Sequence, residues 1–387
     1  AAAVRGAGEI SHMLRMAGLL GLQAVKASAE GAAQIDLQMA GSWTENALGS
    51  LSGFPVPRVN GTVELHNVRA SVRGVSEPIE ISSAELRLLP DEARVENLSA
   101  RAADAQWTGS MTLPRGCGTP GQCVVEFNLN ADQVALSGLY EWLGPHPRER
   151  RWYQMLVPAD PAAPSFLQNL RASGKVSVGH LRIHNVVADR VSASLELEHG
   201  MMKASDLRAD LLGGRHRGNW QADFTAASPV YNGSGIVTGI LLEKVASAMH
   251  DPWISATGGG TYEFKASGAD SAAFWQSAEG ELRFDLRDGV LSHISLDSDE
   301  GPLRIARWQG HARLRNGNID LEKGEFDSPT GAYEISGTAS LGQKLDFKVI
   351  AETPKAAGAV VYSITGTVAE PRVTVTPTPE TQARLKP

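Results

Sequence analysis

The sequence predicts a mostly β protein: an elongated, repetitive antiparallel sheet curled into an open groove, with a few short helices. Three observations lead there: a dominant two-residue hydrophobic alternation, little helical periodicity, and a strand-turn-strand unit that recurs along the chain. At 387 residues the chain exceeds the size at which single cores usually stop growing, so it holds two domains or one extended architecture. Its 40 Gly and 20 Pro suit turn-rich β structure.

Alternation appears wherever strands are predicted. Ala84, Leu86 and Leu88 alternate with Glu85 and Arg87, and Leu195 and Leu197 alternate with Glu196 and Glu198. Leu282, Phe284 and Leu286 stand against Glu281, Arg283 and Asp285; Leu345, Phe347 and Val349 against Asp346 and Lys348; Val373 and Val375 against Arg372 and Thr374. Each run gives a strand with one apolar and one polar face, as in half-exposed antiparallel sheets. The unit Gly61–Val68 recurs loosely as Gly174–Leu181, Gly280–Leu286 and Gly310–Leu314. A second unit follows it: Val95–Leu98 leading to Trp107–Gly109, Met202–Leu207 leading to Gly213, Gly214 and Trp220, and Ile319–Leu321 leading to Tyr333–Gly337.

Helical spacing is confined to short places. Ile10, Met13, Leu14 and Ala17 share a face, as do Leu136, Leu139, Tyr140 and Leu143, and then Leu241, Val245 and Met249; a fourth helix is expected over Ser271–Ala278. Prolines 145, 147, 158, 161 and 164 interrupt the strand pattern. The chain is therefore divided into a first β-groove segment over 1–143, carrying the N-terminal helix and a cysteine hairpin, a Pro-rich connection over 144–164, and a C-terminal β segment over 165–387.

Cys117 and Cys123 bracket a Gly, Pro and Gly turn between the strand-like runs Trp107–Leu113 and Cys123–Leu129. A disulfide clasping this hairpin would place the chain in an oxidising compartment; two unpaired buried thiols are the alternative. A formal net charge of -7 argues against nucleic acid as a partner. No run approaches the ~18 apolar residues of a bilayer crossing, and no signal-peptide pattern opens the chain. It starts at Ala1 without an initiator Met, which reads as a segment of a longer protein with any anchor upstream.

Residues that could carry chemistry are scattered. His180 and His184 stand four apart without a companion acid or cysteine, and His199, His216 and His250 fall in contexts that resemble turns or helix ends. No nucleophile elbow occurs, and Gly258–Gly260 precedes a strand and not a helix, which excludes a phosphate loop. Asp297, Asp299 and Glu300 suit a solvated loop or a calcium site. Arg148, Arg150 and Arg151 beside Trp152 and Tyr153 suit a packed helix or a lipid headgroup contact. The sequence thus predicts no enzyme, no metal and no cofactor.

An amphipathic sheet must cover its apolar face with another sheet, with helices or with a ligand. Helices are few here, so Leu195, Leu197, Leu282, Phe284, Leu286, Leu345 and Phe347 are candidates to line an apolar groove for an acyl chain, each buried methylene contributing about 0.8 kcal/mol. A dry core uses the same residues equally well.

Several stretches carry a family resemblance. One runs from Leu181–Val186 through Val191–Leu197, Gly200, Leu207–Gly214 and Gly218–Trp220 to Pro229; another is Gly280–Val290; the last is Ile364–Pro371 with Val373 and Val375. In this order they resemble the AsmA-like proteins of bacterial envelopes, relatives of TamB-type and bridge-like lipid-transfer proteins. The resemblance covers most of the chain after residue 170 and, more loosely, 30–140. It implies an inner-membrane-anchored periplasmic protein whose groove handles phospholipid or another acyl lipid for outer-membrane homeostasis. The alternative is a scaffold or assembly factor for envelope proteins, acting through sheet edges or the concave face.

Overall fold

The structure, a computed structural model, describes residues 2–13, 28–40, 58–72, 75–114, 123–143, 170–226, 228–248, 250–268, 271–296, 301–340, 343–351 and 360–377. Twenty strands belong to one hydrogen-bonded sheet. Two compact units divide the chain: residues 1–184 with 190–203, and 185–189 with 204–387.

The first unit contains β1 (Ala2–Glu9), β2 (Ser28–Ala40), β3 (Arg58–Ser71), β4 (Ile79–Leu88), β5 (Glu92–Ala102), β6 (Ala105–Pro114), β7 (Val125–Ala135), α1 (Leu136–Leu143) and β8 (Arg171–Ile183). Strands β9 (Val186–Glu198) and β10 (Met201–Leu211) each have residues in both units. The second unit continues with β11 (Gly214–Asp223), β12 (Val230–Leu241), α2 (Leu242–Ala248), β13 (Ile254–Ser267), α3 (Ser271–Ser277) and β14 (Glu279–Leu291). It ends with β15 (Leu303–Arg315), β16 (Asn318–Ser328), β17 (Gly331–Ser340), β18 (Lys344–Ala351), β19 (Val360–Thr367) and β20 (Pro371–Pro377).

The expected repetitive, mostly antiparallel β architecture with few short helices is present. β1 to β7 pair in sequence as an antiparallel meander, as do β11 to β20. Tight hairpins join several neighbouring strands of the sheet. His199-Gly200, Leu212-Gly213 and Asn316-Gly317 form two-residue loops with φ of 49° and 86°, 52° and 84°, and 49° and 72°. Positive φ at both positions gives the turn whose twist matches the flanking strands, and glycine at the second position carries no Cβ penalty there. α1, α2 and α3 fall where helical spacing predicts them. Residues 10–13 are helical, while Leu14 and Ala17 of the first expected helix and Met249 of the third lie outside the described residues.

One pair departs from the antiparallel expectation. β8 lies parallel to β7, with Val125 opposite Ala172 and Ala135 opposite Arg182. Parallel strands cannot be joined by a tight turn and need a long crossover, which α1 and the chain after it supply. The Pro-rich 144–164 falls in that crossover and lies outside the described residues.

Candidate functional site

The register of the second unit sorts its side chains onto two faces. One row runs Tyr262, Leu282, Ala312, Leu321, Gly337, Phe347, Ile364, Val373 across β13 to β20. Its neighbour runs Gly260, Phe284, Gly310, Gly324, Ile335, Val349, Tyr362, and a third runs Leu286, Trp308, Phe326, Tyr333, Ala351. All three rows lie on the same face, because directly opposed residues of antiparallel strands and residues two apart point the same way. The other face is ionic. Arg307 reaches Asp285 at 2.8 Å, Lys323 reaches Glu325 at 2.9 Å, and His311 lies 3.3 Å from both Glu281 and Glu322. The first unit repeats the design, with Ile35, Val63, Leu86, Val95, Met111 and Phe127 in one row and Arg87 between Glu85 and Glu96 on the opposite face.

Burial is graded along the strands of the second unit. At the end near α2, Ile254, Leu291, Leu303, Ile305, Phe326 and Tyr333 are buried, and Ala246 of α2 packs with them. Toward the other end Leu282 is 40% exposed and Ile319 36%, while Ala312, Leu321 and Ile364 of the Leu282 row stay buried. Phe284, Leu286, Leu345 and Phe347 are half-buried and pack against the buried cluster. The structure therefore brings five of the predicted groove residues, Leu282, Phe284, Leu286, Leu345 and Phe347, onto one contiguous apolar face. Leu195 and Leu197 of β9 are half-buried and alternate with exposed Ser194, Glu196 and Glu198.

Glycines shape this face. Phe284 lies across Gly310 on β15, where an added Cβ would stand 2.5 Å from its ring. Phe264 lies across Gly233 in the same way, at 2.4 Å, and Leu286 across Gly258, also at 2.4 Å. Large side chains thus lie flat on the neighbouring strand. Phe284 meets Trp308 edge-on at 5.4 Å, and Phe326 stacks on Tyr333 at 4.8 Å, so the aromatic surface is continuous.

A polar cluster that sequence reasoning missed interrupts the apolar surface. His216 is not in a turn or at a helix end, as expected, but within β11, paired with Val237. Its Nε2 lies 2.7 Å from the Tyr262 hydroxyl, and Trp220 Nε1–H donates to the same hydroxyl at 2.9 Å. Burial pushes the imidazole below its ordinary pKa and the phenol above its own, the latter partly offset by the bond from Trp220. The misreading has a physical source: Gly214 and Gly218 look like turn residues, yet both lie in the strand. A Cβ at Gly218 would meet the backbone oxygen of Ser234 at 2.2 Å, so glycine there permits close strand approach.

The other expected sites are not assembled. His180 is exposed in β8, whereas His184 is in the following turn with φ 52°, so the two do not share a strand face. Among the described residues no group of His, Cys, Asp and Glu could hold a metal. Asp297, Asp299 and Glu300, and Arg148, Arg150, Arg151, Trp152 and Tyr153, lie outside the described residues. Cys123 is disulfide-bonded; its sole possible partner in this sequence, Cys117, lies outside the described residues.

The fold and face define a class: a repetitive, mostly antiparallel β-sheet protein with one apolar and one ion-paired face. Comparison with protein-family models, with curated proteins and with solved structures returned no match.

Proposed function

We propose that the chain is a non-enzymatic lipid-binding module, akin to the AsmA-like proteins it resembles, whose apolar sheet face takes up acyl chains in the bacterial periplasm. The observation that carries this reading is the half-open apolar face of the second unit, where Leu282, Phe284, Leu286, Leu345 and Phe347 adjoin a buried core without being sealed by it. All the described strands belong to one hydrogen-bonded sheet. Hydrocarbon is the fitting occupant, because exposed Leu and Phe in a continuous patch gain from apolar contact and have no charge to offer a polar ligand. The Cys123 disulfide supports an oxidising compartment. No helix among the described residues is long and apolar enough to cross a membrane.

The test is native mass spectrometry and solvent extraction of the purified chain, with Phe284→Asp alongside. Phospholipid should co-purify with the parent protein. A carboxylate among hydrocarbon tails should weaken occupancy at least about tenfold. Full lipid occupancy in a folded Phe284→Asp variant refutes the groove, and recovery of an envelope protein without lipid favours an assembly factor instead.

A further inference from the structure

We propose that His216, Tyr262 and Trp220 form an anchoring site for the ester carbonyl oxygen of an acyl lipid, the polar counterpart of the apolar rows beside them. The assignment rests on the reading of that face as a lipid-binding surface and names the part of the lipid recognised there.

Placement is the first argument. The Tyr262 ring extends over Gly235 and toward Gly218, so its hydroxyl lies between His216 and Trp220, which stand on either side of Gly218 in β11. A Cβ at Gly235 would stand 2.9 Å from His216 Nε2 and 3.0 Å from the Tyr262 hydroxyl, so the glycine makes room for the cluster. Tyr262 is also directly opposite Leu282, the most open of the predicted groove residues. A tail lying along Leu282 and Phe284 would therefore have its polar end at this cluster.

Hydrogen-bond valence is the second argument. A neutral histidine brings one N–H, tyrosine one O–H and tryptophan one N–H. The bonds from Trp220 to Tyr262 and between Tyr262 and His216 use two of these three donors. One donor is left whichever tautomer forms: His216 Nδ1–H if the tyrosine donates, or the tyrosine O–H if the imidazole donates. It has no partner among the described residues, and an oxygen acceptor satisfies it.

Charge selects the acceptor. Burial keeps His216 neutral near pH 7 and Tyr262 protonated. The neighbours on the same face are Gly233, Val237, Gly260 and Phe264, whereas Arg217, Glu263 and Lys265 alternate onto the opposite face. Among these described residues of β11, β12 and β13 a phosphate or carboxylate would find no cation on that face. An ester carbonyl is an uncharged acceptor already attached to the hydrocarbon that the adjoining rows accommodate.

The experiment compares two short-chain phosphatidylcholines, one ester-linked and one ether-linked, which differ in having a carbonyl or a methylene at the head of each chain. Titrated against the purified chain by calorimetry, the ester lipid should bind about fivefold tighter, the worth of one ordinary hydrogen bond. The His216 imidazole resonances of the unsubstituted protein should shift with the ester lipid and not with the ether lipid, a readout that needs no variant to fold. Equal binding of both lipids, or an ester preference without a shift of the His216 imidazole resonances, overturns the anchor alone. Binding of neither by the folded protein overturns the lipid reading and the anchor with it.

Discussion

Gly310→Ala isolates the flat seating of Phe284. The phenyl ring lies over Gly310, and the added methyl would stand 2.5 Å from its Cζ and 3.0 Å from Leu321 Cδ1. No positive φ is involved at Gly310, so the backbone accepts alanine and the cost comes from forcing the ring upward. Displacing a packed ring in this way costs about 1–3 kcal/mol. In a Phe284→Ala background the same methyl meets no ring, and the penalty should shrink or reverse, since alanine gains about 0.5–1 kcal/mol over glycine in backbone entropy. The coupling between the two substitutions should then be at least about 1 kcal/mol. Urea titrations of the four proteins, followed by hydrogen exchange in β14–β16, measure it. An equal penalty for Gly310→Ala with and without Phe284 would show that the ring does not lie on this glycine.

Two further outcomes follow from the same geometry. Arg307 donates hydrogen bonds to Asp285 and, with Arg287, holds its carboxyl down from 3.8 to about 2. A depressed carboxylate stabilises the fold above its unfolded pKa and loses that contribution as pH falls from about 4 to about 2. Asp285→Asn should therefore cost up to about 1 kcal/mol at neutral pH, as exposed ion pairs do, and the deficit should disappear near pH 2 in thermal melts. Gly61 has φ of 142° and its Cβ would lie 2.1 Å from the backbone oxygen of Asp36, so Gly61→Ala should cost about 2 kcal/mol or more. Gly6→Ala, with nothing within 4 Å of the new Cβ, should be neutral or mildly stabilising; hydrogen exchange in β2–β3 separates the two.

The two-residue alternation makes the apolar face legible, since Leu282, Phe284 and Leu286 on one strand and Leu345 and Phe347 on another share it. The interruptions are less legible. Asn67, Asn97 and Asp288 adopt φ near 50° at or beside register irregularities, so Leu65 and Val68, Val95 and Leu98, or Leu286 and Gly289 point the same way although three apart. A strict period of two passes over them, although Asn and Asp are the side chains that tolerate this backbone best. The direction of β8 could not be read either: Val176 and Val178 alternate with Lys175 and Ser177 as they would in an antiparallel strand. The polar cluster escaped because His216, Trp220 and Tyr262 meet only once β11, β12 and β13 are in register.

The parallel β7–β8 pair also bears on how the chain acquires its structure. Apart from the longer connections between β1, β2 and β3, most strands meet their partners across a short connection, so hairpins can close as soon as they emerge and local pairing keeps loop-closure entropy small. Val125 and Ala172 face each other only after the whole intervening crossover has been made. Assembly should pause at β7 and resume once β8 arrives, making this junction the slow joint in an otherwise sequential zipper.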